Sequence, residues 1–232
     1  TGVTDAFVKI YAHTGYGNQN VLKELLNIEQ PDAILHFTDP RFWGWLYDME
    51  NEIRQNIPLM YYNIWDDLPY PHWNESFYES CDLLMNISRQ TNNIVKNVLQ
   101  KYPKPDWAVQ WVPHGSNEKK YFPITELDKD WNEYNEWVTN FKKVNDIEFL
   151  FFWNNRNIRR KQPADLILAF NTFCDQLDPE DAKKCALLMH TQISDPNGTD
   201  LMAVKRAICP KYKVLFSNQS IDTKMLNFYY NA

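Results

Sequence analysis

The chain has 232 residues, 44% hydrophobic and 15% aromatic, with a formal net charge of −6. This composition belongs to a globular protein with room for one large domain or two ordinary ones, and excludes a disordered segment. Overall acidity argues against a general nucleic-acid or membrane-surface binder, so any cluster of basic residues is a local feature that needs its own reason.

No apolar stretch approaches the roughly 18 residues needed to cross a membrane, and the first residues lack a charged-then-apolar leader pattern. Cys81, Cys174, Cys185 and Cys209 show no CxxC spacing, which reads as reduced core cysteines and a cytoplasmic setting. The Asn-x-Ser/Thr sequons at Asn74, Asn86, Asn197 and Asn218 would then carry no modification.

In chain order, short apolar runs alternate with helical periodicity. Residues 19–29 place Val21, Leu22, Leu25 and Ile28 on one helical face. "DAILHF" (32–37) reads as a strand and "RFWGWLYDMENEIRQ" (41–55) as a helix. "IPLMYYNI" (57–64) is a strand, followed by the turn "WDDLPYP" and a helix near 74–80. Strand 82–88, helix 90–102 and strand 107–113 follow, and the pattern then lapses over 114–127. After a polar helix at 128–144 it resumes, with strand 147–153, helix 163–177 and strand 185–191. Helix 199–208, strand 213–217 and a helix from Asp222 complete the series.

Continuous apolar strands alternating with helices imply parallel sheets covered by helices on both faces. The expectation is an α/β chain of two doubly wound, Rossmann-like lobes, 1–125 and 126–232. Both lobes look incomplete, as though a larger two-lobed protein had been cut. In such sheets ligands sit beyond the carboxyl ends of strands, which directs attention to the polar residues there.

The stretch "FFWNNRNIRRKQPADLILAF" (151–170) sets Arg156, Arg159, Arg160 and Lys161 between a strand and a helix opened by Pro163. A diphosphate there would meet a guanidinium fork, an ammonium and the partial positive charge of the helix end together. A solvated basic turn paired with nearby carboxylates is the alternative.

This stretch resembles retaining glycosyltransferases of family 4, which share the GT-B fold and carry a "GR…(R)KG" loop before a helix ending "LL.AF". Arg156 and Lys161 keep the five-residue spacing, while Asn155 and Gln162 stand where the family has glycines. "WVPHGSNEKKYFP" (111–123), "QPDAILHF", "SCDLLMNISRQTNNIVK" and "KVLFSNQSIDTKMLNFYYNA" are similar to further family segments in the same order. The likeness runs from about residue 30 to the end. It implies that Arg156 and Lys161 hold the donor's diphosphate and that stereochemistry at the sugar is retained. The family's acidic "E…….E" donor motif would follow Ala232 and is not in this sequence.

By their position after strands, Asp39 and Asp66 are candidate catalytic or acceptor-binding carboxylates, with helix capping and turn formation as the other reading. "WDD" also resembles the metal-binding motif of the other main glycosyltransferase fold, but the element order differs and no metal is expected. Asn155, His190, Asn218 and Ser220 end strands or follow them and are candidate nucleotide contacts. Ser88, His114 and Gly115 are candidate interlobe or acceptor residues, with Ser88 equally a helix cap and Gly115 equally a backbone turn.

These observations point to a metal-independent glycosyltransferase without a resident cofactor. It would move a sugar from a UDP- or GDP-linked donor to an unidentified glycan, lipid or protein acceptor. The alternative is a non-catalytic nucleotide- or glycan-binding scaffold of the same fold. Direct nucleic-acid binding through "RNIRRK" runs against the net acidity.

Overall fold

The computed structural model describes residues 7–232. The start of the opening "TDAFVKIYAH" therefore lies partly outside the described residues. The chain divides into two units, which meet in sequence at Gly115 and Ser116. Residues 116–125, assigned above to the first lobe, belong with the second unit. There the side chain of Asn227 accepts from the Phe122 amide (3.2 Å), and that of Asn231 from the Ile124 amide (2.8 Å).

The first unit opens with α1 (Gln19–Glu29), capped by the Asn18 side chain, which accepts from the amides of Asn20 and Val21. Strand β1 (Ile34–Phe37) leads into a 3-10 turn over Pro40–Trp43 and then two short helices, α2 (Gly44–Tyr47) and α3 (Glu50–Ile53). The single helix expected over 41–55 is thus three pieces. Pro40 permits only a tight first turn, and the chain restarts at Gly44 so that Leu46, Tyr47, Met49 and Ile53 all reach the core. Next come β2 (Leu59–Asn63), α4 (Glu75–Glu79), β3 (Leu83–Asn86), α5 (Arg89–Val98) and β4 (Val109–Trp111).

Its four strands are all parallel, in the order β1-β2-β3-β4. The register aligns His36, Tyr61, Leu84 and Val109 in one row across the sheet, and all four are buried. The opposite face carries Leu35 and Phe37 with about half their surface exposed (53% and 54%), so coverage on both faces does not extend to these positions. On α1, Leu26 is half-buried and Ile28 is exposed, a small rotation of the expected apolar face.

The second unit contains α6 (Trp131–Asn145), β5 (Phe149–Asn154), α7 (Pro163–Asp175), α8 (Pro179–Lys183), β6 (Cys185–His190), α9 (Leu201–Ile208), β7 (Lys213–Ser217) and α10 (Thr223–Asn231). Helix α8, opened by Pro179 in its first turn, is an addition to the expected series. The strands are parallel in the order β5-β6-β7. One face buries Leu187 and Met189 with Ile167, Phe170 and Leu201 of α7 and α9. On the other, Tyr134 and Phe228 join α6 to α10, and Tyr229 of α10 lies against Phe152 at 5.4 Å. Among the described strands neighbours are sequential, so neither sheet contains a reversal of strand order, and the carboxyl edges remain the place to look for ligands.

Candidate functional site

The loop between β5 and α7 is built on Asn157. This side chain is fully buried. Its amide donates to the carbonyls of Gln192, Ile193 and Thr199, and its oxygen accepts from the Thr199 amide. It staples the basic loop to the loop between β6 and α9. The two backbones come so close that a Cβ on Gly198 would sit 2.2 Å from the Asn157 carbonyl oxygen, which makes glycine obligatory there. A cavity of about 440 Å³ between the loops is lined by Asn157, Arg159, Gln162, Asp165, Asn197 and Thr199, among others. Neither Arg156 nor Lys161 lines it.

Arg156 donates through Nε to Asp195 Oδ2 at 3.0 Å. The Asp195 side chain is 2% exposed, whereas that of Arg156 is 62% exposed. The hydrogen bond from Arg156, joined by the Asn197 amide, holds the Asp195 carboxyl below the usual carboxylate range. Asp195 thus pins the inner edge of the guanidinium and leaves its outer end in solvent. The chemistry of an oriented anion grip and that of a structural ion pair are both present in this arrangement. Asp195 lay hidden in "SDPNG", with nothing local to mark it as the partner of a residue 39 positions away.

Lys161 ends a 3-10 turn, Arg159–Lys161, is exposed, and makes no ion pair among the described residues. Gln162 then takes a left-handed conformation, φ 46° and ψ 50°, and starts α7 without a side-chain cap. A glycine would adopt these angles freely, whereas Gln162 adopts them at a cost. Asp165 occupies the first turn of α7, where its charge competes with any anion at that helix end. Asn155 is exposed beside Asn154, whose amide donates to the Tyr230 hydroxyl (2.9 Å). Tyr121, Asn154, Tyr230 and Asn231 help to line a larger cavity of about 880 Å³ at the carboxyl end of β5.

His190 Nδ1 and Ser217 Oγ are 2.9 Å apart, which ties together the ends of β6 and β7. Asn218 and Ser220 are exposed just beyond β7.

In the first unit, Thr38 sits at φ 145° immediately after β1, and Asp39 then caps the 3-10 turn by accepting from the Arg41 amide (3.0 Å). The Arg41 guanidinium also grips both carboxylate oxygens of Asp39, at 3.0 and 3.2 Å from Nε, and holds the carboxyl below its usual range. Asp39 is therefore a fixed anion and a poor proton acceptor. Arg41 lies 5.3 Å over the Trp65 ring, next to Asp66 in sequence, so the carboxyl edge of β1 and β2 gathers both carboxylates on one rim. Asp66 is exposed, and its carbonyl accepts from Gln90 Nε2.

Ser88 caps α5 by accepting from the Thr91 amide, the structural one of its two readings. His114 Nδ1 is 3.0 Å from the Tyr62 hydroxyl, and its ring stacks on Tyr62 at 5.2 Å. Gly115 has no left-handed φ, and a Cβ there would meet nothing within 4 Å, so the backbone turn read from the sequence does not require glycine.

Sequence reasoning missed His36. It is buried on β1, with Nδ1 2.7 Å from the Tyr47 hydroxyl, no partner for Nε2 among the described residues, and its ring stacked on Tyr61 at 5.0 Å. Burial pushes its pKa down to about 4, so it is a neutral imidazole near neutral pH. No group of three or more His, Cys, Asp or Glu residues converges as a metal site among the described residues.

The sequence matches no protein-family model and no curated protein. The fold does match solved structures. The N-terminal domain of a Candida albicans trehalose-6-phosphate phosphatase superposes with a TM-score of 0.66 at 14% identity, covering 89% of this chain and 50% of that one. A trehalose 6-phosphate synthase from Burkholderia multivorans gives 0.61 at 12% identity, covering 88% and 49%. An E. coli trehalose-6-phosphate protein bound with UDP-2-fluoro glucose gives 0.57 at 13% identity, covering 89% and 52%. These neighbours are GT-B glycosyltransferase folds, and the chain spans about half the length of each. The α/β architecture with two parallel sheets is thus the one expected; at these identities the likeness is one of fold.

Proposed function

We propose that this chain is the nucleotide-sugar-binding part of a glycosyltransferase, with the loop between β5 and α7 as its anion site. One observation carries the reading above the fold likeness. At the carboxyl edge of β5, Asp195 orients Arg156 from below while the guanidinium's outer end and Lys161 stay in solvent. A buried carboxylate behind an exposed guanidinium fits a fork aimed at a ligand.

In the mechanism, Arg156 and Lys161 neutralise the diphosphate as it gathers negative charge on leaving the sugar. Fixed cations that need no rearrangement lower the barrier by stabilising that developing charge. Asp39, locked to Arg41, and Asp66 act on the acceptor side by orienting hydroxyl groups. Retention at the sugar is what the family-4 resemblance of the motifs implies, and charge neutralisation by Arg156 and Lys161 is the basis for transfer without a metal. Function in the cytoplasm is the corresponding setting, and no helix among the described residues is long and apolar enough to cross a membrane.

A second reading is favoured by two features at the same site. Arg156 already has a charge partner, and Asp165 stands at the helix end, as they would in a scaffold that binds glycans or partners without catalysis.

Thermal melting with UDP, GDP, ADP and their sugars separates the two. A ligand at about 100 times its dissociation constant stabilises the fold by roughly 2.7 kcal/mol, a shift of several degrees. The donor reading expects one nucleoside diphosphate to raise the melt of the parent and Lys161→Ala to lose that rise. A melt indifferent to all of them favours the scaffold.

A further inference from the structure

The rim beside Asp66 carries two indoles: Trp65 packs against the core of the first unit, whereas Trp73 lies outside that core. Trp65 is held on three sides. Its amide donates to Asn63 Oδ1 (3.1 Å), its carbonyl accepts from Thr91 Oγ1 (2.8 Å), and its indole N–H donates to the Asp67 carbonyl (2.8 Å). Asn63 and Thr91 are fully buried, so the indole is anchored to the interior of the unit. Trp73 meets it edge-on, with ring centroids 5.9 Å apart, yet keeps 54% of its surface exposed. Arg41 lies over the Trp65 ring and binds Asp39 with both carboxylate oxygens engaged. Asp66 presents a carboxylate with no hydrogen bond or ion pair among the described residues.

A half-exposed indole, Trp73, braced edge-on by the anchored Trp65 and beside carboxylates suits a pyranose ring. The ring's C–H face packs on the flat aromatic surface, and its hydroxyls donate to carboxylates at the margin. Charge narrows the class further. Asp39 and Arg41 neutralise each other, which leaves the exposed carboxylates of Asp66 and Asp67 uncompensated on this rim. A sugar bearing phosphate or carboxylate would be repelled, whereas a neutral sugar would not.

We infer that Trp73, backed by Trp65 and bordered by Asp66 and the Asp39–Arg41 pair, forms a subsite for a neutral hexose glycan. Its role as the acceptor side rests on the transferase reading above; the subsite itself does not.

The test is calorimetric titration of the full chain with maltotriose, mannotriose and glucose 6-phosphate, on the parent, Trp73→Ala and Trp73→Phe. Circular dichroism melts confirm that the variants fold, as an exposed side chain permits. At least one neutral trisaccharide should bind and glucose 6-phosphate should bind more weakly. Trp73→Ala should lower the trisaccharide affinity about tenfold, with Trp73→Phe retaining most of it. The inference is overturned if neither trisaccharide binds the parent at about 10 mM, if Trp73→Ala binds as the parent does, or if glucose 6-phosphate binds best. The UDP melt keeps the two proposals apart. A UDP shift without trisaccharide binding removes the subsite alone. Trp73-dependent trisaccharide binding without any nucleotide shift sustains the subsite and removes the donor reading.

Discussion

Gln162 shows how one residue can keep a backbone geometry that its side chain opposes. Left-handed angles cost an L residue roughly 1–2 kcal/mol, while glycine at that position loses about 0.5–1 kcal/mol through its freer unfolded chain. Gln162→Gly should therefore leave stability unchanged or raise it by up to about 1 kcal/mol, and Gln162→Val should lower it by about 2 kcal/mol, both read by urea unfolding. At Asn157 the cost runs the other way. Asn157→Ala would remove the side-chain partner of the Gln192 and Thr199 carbonyls and of the Thr199 amide, while the Ile193 carbonyl keeps the Leu201 amide, a loss of about 2 kcal/mol on the same assay. His36 supplies a pH signature. Its folded pKa of about 4 lies below the ordinary 6.5, so the unfolded chain takes up the proton first. The stability due to the neutral ring is complete above about pH 6.5 and falls as pH drops toward 4, by up to about 3 kcal/mol. Chemical unfolding at stepped pH should show that slope in the parent and a flatter one in His36→Gln, which can still bond Tyr47.

At the level of elements, the loop after β5 depends on the loop after β6. Residues of the second loop, Asp195, Asn197 and Gly198, hold the backbone and the guanidinium of the first. Asp195→Asn keeps the shape of the side chain and removes the charge that orients Arg156. Nucleoside diphosphate affinity should then fall about tenfold, read by titration, with the melting temperature of the unliganded chain changing by only a few degrees. Unchanged affinity would mean that Arg156 does not serve the ligand. The broken helix after β1 has a comparable consequence. Had residues 41–55 formed one helix, Asp39 and Arg41 would lack the tight turn that lets one side chain cap the amide and grip the guanidinium of the other.

For the whole chain, the buried clusters described fall separately into the first unit and the second, so damage to one core need not reach the chemistry of the other unit. Leu84, fully buried in the first unit, should cost about 3 kcal/mol on truncation in Leu84→Ala. Below its lowered transition the variant should bind UDP with the affinity of the parent, measured by titration. A parallel loss of UDP binding would contradict assignment of the donor site to the second unit.

The order of elements was readable because it rests on local terms: apolar runs of strand length, helical periodicity, and the Ser88 cap. The basic loop was readable as well, since four cations crowd six residues of an acidic chain. What could not be read was every feature that joins positions far apart. The Asp195 partner of Arg156, the Asn157 staple and the Gly198 contact depend on two loops brought side by side by adjacent strands. The Trp65–Trp73 surface and the buried imidazole of His36 depend on side chains from several elements meeting in one place. Local propensity is written in neighbouring residues. Which distant groups meet, and which of them lose water when they do, is decided by packing alone.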